Sequence, residues 1–334
     1  MIAAQFSETV RPGVLRCNLC PHHCTLENGQ TGRCRTRKNM DGILMTESYG
    51  ILSAISLDPV EKKPLYHFLP GRPILSIGSF GCNLRCAFCQ NCHISQAGIE
   101  RFDHHPVRDP EDIVQKAKLS RNNIGLAYTY NEPTVYFEYM HQAARLIHEQ
   151  GQRNVMVTNG FIEEEPLRIL LPLIDAFNID LKSFRNEFYQ THAGSTLQPV
   201  LRSIEQVAKS GKHLEITCLL IPGLNDSPTE WRALLSWLSD HAGGELVLHV
   251  SRYHPASNMS LPPTPRSVIE EFTALAREHF PFTYPGNVGG LNQDTHCPQC
   301  GMVLIRRSGY HTEIVGLDGN ACGACRQSIP GIFR

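Results

Sequence analysis

Ile74-Leu75-Ser76-Ile77-Gly78-Ser79-Phe80-Gly81-Cys82-Asn83-Leu84-Arg85-Cys86-Ala87-Phe88-Cys89 sets an apolar run of strand length directly before a C-x-x-x-C-x-x-C loop. The run reads as a buried strand. Three thiolates on so tight a loop can hold three irons of a cubane and leave the fourth iron without a protein ligand. An open iron can be chelated by the amino and carboxylate groups of an amino acid. An electron passed into an adjacent sulfonium then breaks its C–S bond homolytically, the cofactor supplying the radical and the protein the placement. The competing reading is structural zinc with Cys92 as fourth ligand, but the spacing departs from the paired C-x-x-C knuckles usual for zinc.

Downstream, short β-rich runs at 124–130, 155–159, 177–181, 214–221, 246–251 and 282–284 alternate with amphipathic stretches at about 134–150, 197–210, 229–241 and 266–279. An earlier helix opens at Asp109-Pro110, with Glu111 and Asp112 in its first turn, a capped start suited to the helix dipole. Such alternation predicts six or seven βα units around a parallel sheet. The expected fold is an α/β, partial or complete TIM-like barrel, whose active site lies in the loops after the strands. Polar groups recur there: Tyr130-Asn131-Glu132-Pro133, Thr158-Asn159-Gly160, Asp180-Leu181-Lys182, Ile221-Pro222-Gly223 and Ser251-Arg252-Tyr253-His254.

Thirteen cysteines in a long chain, gathered in clusters, point to metal in a reducing compartment rather than to a disulfide scaffold. Cys17, Cys20, Cys24 and Cys34 form a C-x2-C-x3-C-x9-C set, expected as a loop-rich knuckle in which His22 or His23 can replace a thiolate. Cys297, Cys300, Cys322 and Cys325 form two C-x-x-C knuckles with zinc-ribbon spacing that also suits an auxiliary iron-sulfur cluster. The two sets can meet if the ends of the barrel chain do. Cys218, inside an apolar run, and Cys92 read as packed thiols.

Lys and Arg number 31 against 32 Asp and Glu, a formal charge of -1, so no bulk field favours nucleic acid or an anionic membrane. The first residues show no basic stretch followed by an apolar run, and a cytoplasmic protein with no membrane partner is expected.

Gly81-Cys82-Asn83-Leu84-Arg85-Cys86-Ala87-Phe88-Cys89-Gln90-Asn91 resembles the cluster loop of the radical S-adenosylmethionine (SAM) superfamily, in its pyruvate formate-lyase-activase-like branch. With Asp58-Pro59-Val60-Glu61-Lys62-Lys63, the N-terminal C-N-L-C-P-H-H-C and Ser251-Arg252-Tyr253-His254-Pro255, the chain is similar to the radical SAM enzyme of the AmmeMemoRadiSam system. The resemblance implies a 4Fe-4S cluster on Cys82, Cys86 and Cys89, SAM as cofactor, and a reducing partner such as flavodoxin or ferredoxin. Proteins of that system are further expected partners.

It further implies that Phe88 lies near the adenine and that Glu132 binds the methionyl amino group, although Asn131-Glu132-Pro133 matches the usual Gly-Gly-Glu-Pro only at Glu132 and Pro133. Thr158, Asn159, Ile221 and Pro222 are expected around SAM or the substrate, with Asp180, Lys182, Arg252 and His254 as candidate catalytic groups. Each has a plainer reading. Glu132 also suits a helix start, Asp180 and Lys182 a salt bridge, and Arg252 and His254 a structural role. Residues 1–57 are expected to form a Cys-rich extension, 58–290 the barrel and 291–334 a metal-binding segment. The expected reaction is reductive SAM cleavage followed by hydrogen abstraction. The alternatives are activation of a glycyl-radical enzyme and an RNA-contacting or metal-stabilised binding protein.

Overall fold

The computed structural model describes residues 1–334. Its centre is an eight-stranded sheet in sequence order: β1 (Ala54–Pro59), β2 (Pro73–Gly78), β3 (Gly125–Tyr128), β4 (Arg153–Thr158), β5 (Ala176–Asp180), β6 (His213–Leu220), β7 (Val247–Arg252) and β8 (Thr283–Gly286). β2 to β8 are parallel, and β1 joins antiparallel to β2. The sheet does not close between β1 and β8, so the architecture is a partial (β/α) barrel.

The sequence explains the layering. All four residues of β3 and the last five of β2 are buried, as expected for parallel strands covered on both faces. The connecting helices are α1 (Pro110–Leu119), α2 (Phe137–Glu149), α3 (Glu164–Leu170), α4 (Gln198–Lys209), α5 (Pro228–Ala242) and α6 (Arg266–Arg277). In α4, Val200, Leu201, Ile204 and Val207 recur at helical spacing and are the side chains buried against the sheet. Gly125 has φ +152°, and a Cβ there would lie 1.8 Å from Arg153 O, so the approach of β3 to β4 demands glycine.

Several local expectations shift. Asp109 precedes α1, but its side chain makes no capping bond. The helix expected from 134 begins as a 3-10 turn, Pro133–Tyr136, before α2. The N-terminal segment is β-rich rather than loop-rich. Ser7–Arg11, Val14–Cys17 and Thr25–Leu26 form one antiparallel sheet, and Ile2–Ala3, Ile43–Thr46 and Arg37–Met40 another. Strands of two to five residues carrying several charges hide the period-2 pattern.

This segment shares the main core through Leu15, Leu19, Leu26 and Leu44. It is pinned by Arg37, whose guanidinium pairs with Glu138 at 2.5 Å with both side chains buried. The C-terminal segment packs a separate apolar cluster, including Leu304, Ile305 and Phe333, on Tyr66, Val247, Phe282 and Tyr284. Arg307 fastens it by donating to Tyr66 O (2.8 Å). The two terminal cysteine sets pack on different elements and do not meet, because each segment follows its own apolar face. No helix is long and apolar enough to cross a membrane.

Candidate functional site

A cavity of about 750 Å³ opens where the parallel strands end. Cys82, Cys86 and Cys89 lie in its wall together with Phe88, Asn131, Glu132, Thr158, Asn159, Asp180 and Lys182. Chain positions from 82 to 182 are thus brought together by four successive βα loops. Cys92 begins a short helical turn, Cys92–Ser95, and does not line the cavity. No three sulfurs around Cys82 lie within 4.8 Å of one another, although that is the spacing of a compact single-ion site. Three thiols that line one cavity without closing on a single point can serve separate irons of a cubane.

Hydrogen bonds fix the loop. Asn131 Oδ1 accepts from Ser79 N (2.9 Å), and its Nδ2 donates to Phe80 O and Gly81 O (3.1 and 2.9 Å). Gly81 has φ +77°, and a Cβ there would come 2.3 Å from Cys34 O, so the loop presses on the N-terminal segment through a residue without a side chain. Leu84 N and Asn159 Nδ2 donate to Cys82 Sγ at 3.3 and 3.7 Å.

Glu132 is buried and caps the 3-10 turn, so the plainer, helix-start role is present. Its Oε1 accepts from Thr134 N, Thr134 Oγ1 and Thr158 Oγ1 (3.0, 2.7 and 2.7 Å), and Oε2 from Asn159 N (2.8 Å). Burial raises the carboxyl above its ordinary value, with the Asn159 and Thr134 donors pulling the other way. Only neutral donors hold it, and it still faces the cavity.

Across the cavity Lys182 Nζ bonds Asp180 Oδ2 at 3.0 Å and stands 5.9 Å from the Phe88 ring centroid. Burial disfavours the ammonium, but Asp180 outweighs it and keeps Lys182 charged. Both readings of this pair are therefore present, an ion pair and a cavity wall.

Four expected residues lie elsewhere. His249 and Ser251 point into the cavity, so Arg252, next along the strand, points to the other face, where its Nε donates to Thr264 O (2.7 Å). His254 lies beyond the strand with Nε2 on Asn287 O (3.1 Å). Ile221 is buried in the core with its N–H on Asn225 Oδ1 (2.6 Å), and neither it nor Pro222 lines the cavity.

Other groups were missed. Asp58 accepts from Lys62 Nζ (3.2 Å), Lys63 Nζ (2.8 Å) and Tyr130 OH (2.5 Å), and all four residues line the cavity. The Asp58-Pro59-Val60-Glu61-Lys62-Lys63 run was the available signal, but its charges sit on and after an antiparallel edge strand, outside the strand-end rule. Fully buried Glu215 accepts from His213 (2.9 Å) and His249 (2.6 Å) and from the backbone of Tyr66 and His67. Burial disfavours its charge, yet the two histidines hold its carboxyl well below the usual range. Gly309 and Tyr310, the tip of the C-terminal hairpin, close one side of the cavity.

In that segment all four sulfurs of Cys297, Cys300, Cys322 and Cys325 lie within 4.8 Å of one another.

A family model described as the radical SAM superfamily matches residues 76–235. An uncharacterized protein of Methanocaldococcus jannaschii is 39% identical over 334 residues, covering 98% of this chain and 99% of that protein. The benzylsuccinate synthase activating enzyme of Thauera aromatica is 23% identical over 204 residues, 60% of this chain and 61% of its own length. The chain thus spans about three fifths of that relative. Streptococcus suis SuiB bound to S-adenosylmethionine superposes with a TM-score of 0.51 at 14% identity, over 69% of this chain and 53% of that one, a likeness of fold.

Proposed function

The chain belongs to the radical SAM superfamily and is an enzyme, and from that premise we propose that it cleaves SAM reductively and takes a hydrogen atom from a polar substrate held across the cavity. Membership implies a 4Fe-4S cluster and SAM. When bound, these supply one electron that breaks a C–S bond of SAM, giving methionine and a 5′-deoxyadenosyl radical.

The observation that carries the reading is Glu132, a buried carboxylate facing the cavity with no cation beside it, joined through Asn159 to Cys82 Sγ. A buried carboxylate in this state is served by an ammonium ligand. Cys82, Cys86 and Cys89 anchor the cluster, and Asn131 holds their loop. Glu132 receives the SAM amino group. Thr158 and Asn159 act through Glu132 as positioning residues, and Phe88 offers its ring to the adenine. The charged side of the cavity, with Asp58, Lys62, Lys63, Asp180, Lys182 and His249, takes the substrate. A cavity of about 750 Å³ lies within the usual range for small-molecule sites. The external electron donor is a low-potential carrier such as flavodoxin or ferredoxin, and membership in the AmmeMemoRadiSam group belongs to the same proposal.

Glu132→Gln keeps the shape and removes the charge. SAM affinity, measured anaerobically by calorimetry on folded protein, is expected to fall about 10- to 100-fold, the loss of one charge-assisted hydrogen bond. Unchanged affinity would remove Glu132 from the site.

A second reading is favoured by the similarity to the benzylsuccinate synthase activating enzyme: the hydrogen comes from the backbone of a partner protein. A glycyl radical EPR signal in such a partner after turnover would select it.

A further inference from the structure

We propose that Cys17, Cys20, Cys24 and Cys34 bind a second iron-sulfur cluster directly behind the catalytic loop, while zinc is confined to the C-terminal quartet. The two sets differ in size. In the C-terminal quartet Cys297 Sγ and Cys325 Sγ are 3.5 Å apart, and Cys300 Sγ and Cys322 Sγ 3.6 Å. Tetrahedral zinc with bonds of about 2.3 Å places its sulfurs about 3.8 Å apart, so this set is shaped for one ion.

The N-terminal cysteines share the wall of one small chamber, yet no three of their sulfurs come within 4.8 Å of one another. The N-terminal set is therefore not drawn in around one point as the C-terminal quartet is, and four thiolates on a common wall can serve the separate irons of a cubane.

A buried cation reaches the cysteines in this chamber. Arg37, 1% exposed, lines it with Nη1 3.9 Å from Cys17 Sγ, and its buried Nε has no partner. Thr36 Oγ1 donates to Cys34 Sγ at 3.2 Å, the kind of bond that tunes a cluster sulfur. Leu19 and Val135 close the wall, and Gly32 sits where a Cβ would lie 3.7 and 3.8 Å from Cys24 and Cys34 Sγ. The guanidinium thus lies between the Glu138 carboxylate and the cysteines, with its Nε still open on the buried side.

The position is the further point. Asn83 lines this chamber and its neighbour Cys82 lines the catalytic cavity. His22, in the chamber wall, bonds Asn83 O through Nε2 at 2.7 Å, and Cys34 O abuts Gly81. The second cluster would therefore share the backbone that carries the first.

The test is metal and acid-labile sulfide content of the full chain, reconstituted anaerobically with iron and sulfide in the presence of zinc. About eight irons and one zinc per chain are expected, falling to about four irons with zinc retained in Cys20→Ser/Cys24→Ser. Wild type with about four irons and two zincs overturns the proposal, as does a double variant that keeps every iron. The wild-type count decides even if the variant fails to fold. Four irons that all vanish with Cys82→Ala would leave the proposed function standing and remove the second cluster alone.

Discussion

Cys82→Ala is expected to abolish SAM cleavage, by at least about 1000-fold, while leaving a folded protein that still holds C-terminal zinc. Cys82 Sγ receives the Leu84 N–H and faces Asn159, which also donates its backbone N–H to Glu132. On the proposed reading its loss takes away a cluster ligand at the place where the cluster loop meets Glu132. Two thiolates cannot hold the cubane in register. The barrel should survive, because the loop is held independently by Asn131 on Ser79, Phe80 and Gly81. Iron analysis, zinc analysis and 5′-deoxyadenosine yield, with circular dichroism as the check on folding, decide the outcome. Full cleavage by the variant would mean that these cysteines do not anchor the chemistry.

The second large effect is on stability. Asp58→Asn leaves Lys63, 1% exposed, without its carboxylate 2.8 Å away, and weakens the bond from Tyr130. Breaking one side of a buried pair costs about 3–5 kcal/mol, because the remaining charge stays desolvated. Burial alone would raise the Asp58 carboxyl, but Lys63, Tyr130 and Lys62 outweigh it and hold it well below the usual range. The sign follows: the contribution is present above the unfolded value of about 3.9 and is lost as pH falls below it. Urea unfolding should show a lowered midpoint for the variant at pH 7, and its stability should depend less on pH in the acid range. A variant within about 1 kcal/mol of wild type would mean that Lys63 finds another partner or water.

Much of the barrel was legible because its signals are local. The run before Cys82 is continuously apolar, α4 repeats its buried residues at helical spacing, and Cys297, Cys300, Cys322 and Cys325 announce a metal site by spacing. The missed features depend on partners far apart in sequence. Arg37 meets Glu138, Asp58 meets Tyr130, and Glu215 gathers His213, His249 and the backbone of Tyr66 and His67. No periodicity encodes such meetings. Tyr310 could not be placed either, since a hairpin tip reaches the cavity only after the C-terminal segment docks. Arg252 shows the converse: a strand-end position alone does not give the direction of the side chain, and the pleat turns His249 and Ser251 to the cavity instead.

The charged side of the cavity, proposed to take the substrate, has a definite chemical character. Two lysines and an aspartate from the chain around β1, the Asp180–Lys182 pair and the Glu215-backed His249 surround one space, so an ionisable substrate is favoured over an apolar one.

The most direct measurement is the product of SAM itself. The anaerobically reconstituted full chain, given SAM and dithionite and followed by mass spectrometry, should form 5′-deoxyadenosine and methionine in equal amounts. Intact SAM in a sample whose reduced cluster is visible by EPR would contradict the account.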